Sequence, residues 1–200
     1  MYKQASTILK NAFLLNKTNL TSKYVLPSQN LWSWLNIVFN YVDKSRIKEV
    51  GPDIACAEWL LRNGAFVKWV GSKSELQDYN QIPKCPTGKY IQQINATESS
   101  IMGYGFEHFR NCKYIDTIYF HKCSLLDDSA LEKLDILKES LSNLEIISCG
   151  DITDKGLLKL TKLTNLKSLK VQNLPYVKFP EETIACIKRV LCNCEVNSQL

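Results

Sequence analysis

The stretch LSNLEIISCGDITDKGLLKLTKLTNL, residues 141–166, decides the fold. It opens with apolar residues at Leu141, Leu144 and Ile146, then places Cys149 and Ile152, then Leu157, Leu160 and Leu163 at intervals of three, and returns at Leu166 to the pattern with which it began. That opening pattern is an apolar residue, two variable ones, an apolar one, one variable and another apolar one. It occurs five times, starting at Ile91, Ile115, Leu141, Leu166 and Leu191, at intervals of 24, 26, 25 and 25 residues. Ile91, Ile94 and Ala96 match Ile115, Ile118 and Phe120, then Leu141, Leu144 and Ile146, then Leu166, Leu169 and Val171, and finally Leu191, Cys194 and Val196.

A repeat of roughly 20–29 residues that pairs a short strand with a helix is the period of leucine-rich repeats, whose units bury their apolar faces only by stacking on one another. Cys123 and Cys149 fall three residues after the last apolar anchor of their units, with Ser99 and Leu174 in the equivalent places. This resembles the cysteine-containing subtype, in which the thiol packs as a small hydrophobe in a tight turn. The helical returns carry Phe106, Phe109 and Cys112, then Leu131, Leu134 and Leu137, then Leu157, Leu160 and Leu163. The expected fold class is α/β, a short leucine-rich-repeat solenoid of about four to five repeats over residues 89–200, with an N-terminal helical capping domain over residues 29–88.

Neighbours along a strand point to opposite faces, so the residues between the anchors face outward on a concave sheet. They are Gln93, Asn95 and Thr97; Thr117, Tyr119 and His121; Asn143, Glu145 and Ile147; Ser168, Lys170 and Gln172. This mixed polar surface holds an aromatic and an aliphatic residue, as protein-recognition surfaces do, and pairs no nucleophile with a base. The reading is a non-catalytic binding protein. Its partner-binding candidates are Tyr119, His121, Glu145, Ile147 and Lys170.

The chain has 200 residues, 45% of them apolar, enough for a full core. No window approaches the roughly 18 uninterrupted apolar residues of a membrane-spanning helix, so membrane association is expected to be peripheral or through a partner. The formal charge of +5 comes without an Arg-rich cluster or recognition motif, and no nucleic-acid partner is expected. Lys3, Lys10, Lys17 and Lys23 all precede the first acid, Asp43. Residues 1–28 therefore read as a mitochondrial presequence or a basic tail. With no secretory signal, the eight cysteines are expected to be reduced thiols.

Ahead of the repeats, Leu31, Leu35, Val38 and Val42 lie along one helical face, broadened by Trp34 and Phe39, with Asn30 as a candidate N-cap. A second helix is expected after Gly51-Pro52, with Asp53 as its cap and Asn63-Gly64 as its stop. Trp32, Trp34 and Trp59 read as core or cap residues.

Several motifs here carry a family resemblance. They are the run from Trp32 to Asp43, Arg46-Ile47, Val50 to Asp53, Glu58 to Ala65, Asp78 to Asn80, Ala96-Thr97, Ser100 to Met102, Glu145 to Gly150 and Ile152 to Gly156. Together they resemble the mitochondrial ATP synthase subunit s family, also called coupling factor B, over roughly Trp32 to Val177. The resemblance implies a peripheral protein on the matrix side of the mitochondrial inner membrane. It would associate with the ATP synthase Fo sector and support coupling of proton transport to ATP synthesis. A related group serves instead in assembly of the distal membrane arm of respiratory complex I, and that role stays open. So does a leucine-rich-repeat adaptor of ubiquitin-ligase type, although the segment from Leu31 to Ala65 does not resemble the F-box such adaptors carry. The family also implies a weak magnesium (Mg2+) site at Gly64 and Thr97. A Cys-x-Cys segment discussed for the family is replaced here by His121-Lys-Cys123.

Overall fold

A computed structural model describes residues 28–82 and 88–200. The segment expected to be a presequence lies outside the described residues apart from its last position. Six strands form one sheet in chain order: β1 (Phe66–Trp69), β2 (Ile91–Asn95), β3 (Thr117–His121), β4 (Asn143–Ile147), β5 (Ser168–Gln172) and β6 (Glu195–Gln199). β1 runs antiparallel to β2 and every later pair is parallel. The helices are α1 (Ser28–Phe39), α2 (Lys44–Val50), α3 (Pro52–Arg62), α4 (Asp128–Lys133), α5 (Asp154–Lys159) and α6 (Pro180–Val190). The architecture is mixed α/β. Ser33–Leu200 form one compact unit.

The apolar ladder takes the expected register through four strands. Ile94 pairs with Ile118, Ile118 with Leu144 and Leu144 with Leu169, and Phe120, Ile146 and Val171 form a second row beside them. All of these side chains are buried, at about 1.5–3 kcal/mol of transfer free energy each. The fifth unit departs from the expected match by two residues. Leu169 pairs with Val196 instead of Cys194, because α6 is a full helix of 11 residues and returns to the sheet later than the shorter connectors do. Cys194 is accordingly only half-buried.

The connectors differ from ordinary helices in pitch. Gly103–Phe109 is wholly 3₁₀, and α4 and α5 each end in a 3₁₀ turn, at Leu134–Leu137 and Leu160–Lys162. Apolar residues spaced by three fit this geometry, since three residues make one 3₁₀ turn and positions three apart lie above one another. Phe106, Phe109, Leu131, Leu134, Leu157 and Leu160 are all buried on this account.

A tight turn closes each rung. Glu98, Lys122, Ser148 and Asn173 occupy equivalent positions with φ of 56, 55, 52 and 50°. The next residues, Ser99, Cys123, Cys149 and Leu174, are buried. The Cys123 thiol donates to the Ala96 carbonyl at 2.8 Å and the Cys149 thiol to the equivalent Phe120 carbonyl at 3.1 Å. Each satisfies an acceptor of the preceding rung. The hydrogen bond with the neighbouring Cys149 thiol, and burial after it, hold the Cys123 thiol well above its ordinary pKa, which suits a packing residue. Asp128 and Asp154 clip consecutive rungs as well: Asp128 accepts from the Thr153 amide and hydroxyl, and Asp154 from the amides of Lys178 and Phe179.

The N-terminal segment departs further from expectation. α1 starts at Ser28, so Asn30 lies inside its first turn and is not its cap. Its face is anchored less by Leu35 and Val38, which are half-buried, than by Asn40 just after its end, which is fully buried; Ile37 and Phe39 are exposed. Asp53 does not cap α3; Gly51 does, while the buried Asp53 carboxylate accepts the Ile91 amide across the fold at 2.9 Å. Trp59 is core, and α3 stops at Asn63 with Gly64 at φ +82°, a conformation that favours glycine. β1 was not anticipated, and through it the segment joins the sheet.

Candidate functional site

One face of the sheet is left open by the connectors, and its residues come from the odd positions between the buried anchors. Tyr119 stands in register with Glu145 and Glu145 with Lys170; His121 stands in register with Ile147 and Ile147 with Gln172. The five residues expected to bind a partner thus form two adjoining cross-strand rows. His121 Nε2 lies 3.0 Å from Glu145 Oε2, and Lys170 Nζ lies 3.9 Å from the same oxygen. The Tyr119 and His121 rings are 5.9 Å apart. All five side chains are half-buried. Thr117, expected outward, is buried instead, its hydroxyl donating to Asp116 Oδ1 at 2.7 Å and accepting from Asn143 at 3.3 Å.

Burial raises the Tyr119 pKa above its ordinary value, and the charges of Glu145, Glu75 and Asp116 raise it further. Its phenol therefore stays protonated.

Glu75 belongs to this surface although nothing in the repeat pattern marks it. It reaches the open face from the segment after β1, accepting from Gln93 at 3.5 Å and Asn95 at 3.3 Å. Asp116, immediately before β3, accepts from Gln92 at 2.9 Å. Its place in the repeat, equivalent to Gln92 and Ser142, was readable from the sequence.

Gly64 and Thr97 lie at one corner of the sheet. The antiparallel pairing ends at Phe66 and Asn95, with Gly64 two residues before the one and Thr97 two residues after the other. The Thr97 hydroxyl and amide both bond to Asn95 Oδ1, at 2.7 and 3.2 Å. Glu98, next in sequence, is paired with Lys122 at 2.9 Å. The donors at this corner are neutral oxygens. Among the described residues no group of three or more His, Cys, Asp or Glu side chains converges as a metal cage. Nor, among them, is any helix long and apolar enough to cross a membrane.

No family model matches the chain. Comparison with individual proteins does. The chain is 44% identical over 177 residues to ATP synthase subunit s, mitochondrial, of Bos taurus, an alignment spanning 86% of this chain and 88% of the relative. The protein of the same name from Homo sapiens is also 44% identical over the same spans, and that of Mus musculus 41%.

Proposed function

Because this chain belongs to the family of mitochondrial ATP synthase subunit s, we propose that it is a non-catalytic accessory protein of the ATP synthase in mitochondria. The observation that carries this reading is the identity of 44% sustained over 88% of the relative's length. In its finer form, the protein lies on the matrix side of the inner membrane, associates with the Fo sector and supports coupling of proton transport to ATP synthesis.

The strand-and-turn units are read as cysteine-containing leucine-rich repeats. The buried thiols at equivalent turns and the ladder from Ile94 to Leu169 support that assignment. Binding is assigned to the open face, at Tyr119, His121, Glu145, Ile147 and Lys170. An aromatic and an aliphatic side chain flanked by charges that already pair with each other make a surface whose desolvation by a partner is affordable.

A magnesium ion at the Gly64–Thr97 corner is part of the same proposal. The fit is one of kind: a hard cation takes oxygen ligands and keeps several waters. The Gly64 carbonyl, close to the negative end of α3, and the Thr97 oxygens would supply such ligands. When bound, the ion would brace the junction of α3, β1 and β2. Affinity purification of the tagged chain from mitochondria tests the function: ATP synthase subunits should dominate the eluate, whereas recovery of complex I intermediates or ubiquitin-ligase components without them would reject it.

A further inference from the structure

Two consecutive rungs are entered through the same tripeptide, Lys89-Tyr90-Ile91 and Lys113-Tyr114-Ile115. The isoleucines are buried, while Tyr90 and Tyr114 are 43% and 51% exposed and rest on each other with ring centroids 4.7 Å apart. Together with the first turn of α3, at Pro52 and Ile54, they line a cleft of about 300 Å³ at the edge of the sheet where the parallel strands begin. Lys89 and Lys113 line the same cleft. Asp53 lines the cleft too, but its side chain is buried and its carboxylate accepts the Ile91 amide at 2.9 Å. Among the described residues no carboxylate pairs with either lysine, and residues 1–27 and 83–87 contain no acid.

We propose that this cleft docks an acidic segment of a partner protein, with carboxylates on Lys89 and Lys113 and an apolar side chain held against Tyr90, Tyr114 and Pro52. The argument is one of complementarity. Two ammonium groups flank a recess walled by aromatic rings and a proline, and tyrosines serve as binding anchors when a partner can desolvate them. A recess favours an inserted side chain over a bilayer, which would engage side chains standing proud of the surface. The site is separate from the open face, and its test is independent of that reading.

The probe is a short fluorescein-labelled peptide alternating glutamate with phenylalanine, titrated with the whole chain at about 0.15 M salt, where the screening length is about 8 Å, and followed by fluorescence anisotropy. Its lysine-for-glutamate counterpart is the control. Only the acidic peptide should bind. Lys89→Glu with Lys113→Glu should weaken it by about tenfold or more, and Tyr90→Ser with Tyr114→Ser should also weaken it, at unchanged melting temperature. The remote pair Lys155→Glu with Lys178→Glu should stay within about twofold of the parent, since distant charges are screened. An equal loss in that remote pair would reduce the effect to net charge and overturn the proposal. So would co-sedimentation with phosphatidylglycerol vesicles, abolished by the Lys89 and Lys113 changes, in a chain that ignores the peptide. If charge reversal unfolds the chain, Lys89→Gln with Lys113→Gln carries the same comparison.

Discussion

Replacing Asn40 by Ala should be among the most damaging single substitutions in the molecule, although Asn40 belongs to no repeat. Its side chain is fully buried and holds α1, α3 and the segment before the first 3₁₀ connector together. Asn40 Nδ2 donates to Asn36 O at 2.9 Å, Asn63 Oδ1 at 3.0 Å and Ser100 O at 2.9 Å. Its Oδ1 accepts from Trp59 Nε1 at 3.2 Å and the Met102 amide at 2.9 Å. Truncation would strand the Trp59 and Met102 donors beside a fully buried position, and each stranded group costs about 1–3 kcal/mol. Partial relaxation offsets some of this, so the expected loss is roughly 3–5 kcal/mol. For a chain of this size that lowers the melting temperature by about 10 °C. Thermal and urea melts of parent and Asn40→Ala read it directly. A loss under about 1 kcal/mol would refute the reasoning and mean that the N-terminal helices contribute little to the cooperative unit.

Leu144→Ala and Leu169→Ala should each cost roughly 2–5 kcal/mol in urea melts, and Lys170→Ala within about 0.5 kcal/mol; equal losses would mean the strand faces are misassigned. Gly156→Ala should destabilise by about 1–3 kcal/mol although Ala is the better helix former, because the new methyl would meet the Asp128 carboxylate that clips Thr153; a stabilised variant would contradict this. His108 is buried, stacked on Trp59 at 5.0 Å, and burial depresses its pKa to about 4. Since the folded state holds the proton more weakly than the unfolded state, with its ordinary value near 6.5, this contribution is complete above pH 6.5 and is lost as pH falls towards 4. The loss amounts to about 3 kcal/mol, and His108→Phe should flatten that part of the stability profile between those pH values.

What the sequence disclosed follows from which interactions are periodic. The ladder from Ile94 to Leu169 and the turn cysteines recur at a fixed spacing, so stacking can be read from spacing alone. The left-handed turns at Glu98, Lys122, Ser148 and Asn173 were harder to see, since four different residue types occupy one conformation. Val196 replaced Cys194 in the ladder because the connection through α6 is two residues longer than the preceding one, and the apolar pattern carries no signal of that extra length. The N-terminal segment is held by contacts that occur once: Asn40 with Ser100, Asp53 with Ile91, and β1 with β2. Pairings of high sequence separation leave no local trace. The open face was legible where alternation defines it, at Tyr119, Glu145 and Lys170, and illegible at Glu75, which enters from outside the repeats.

The central claim is that the open face binds the partner. Tyr119→Ser combined with Ile147→Ser removes its aromatic and aliphatic anchors without touching the buried ladder, so melting should be unchanged. Co-purification of ATP synthase subunits with the tagged double variant from mitochondria is the most direct measurement. The account predicts that their recovery falls by about tenfold or more relative to the parent, as loss of two anchor contacts implies. Recovery equal to the parent's, from a variant that melts normally, would contradict it.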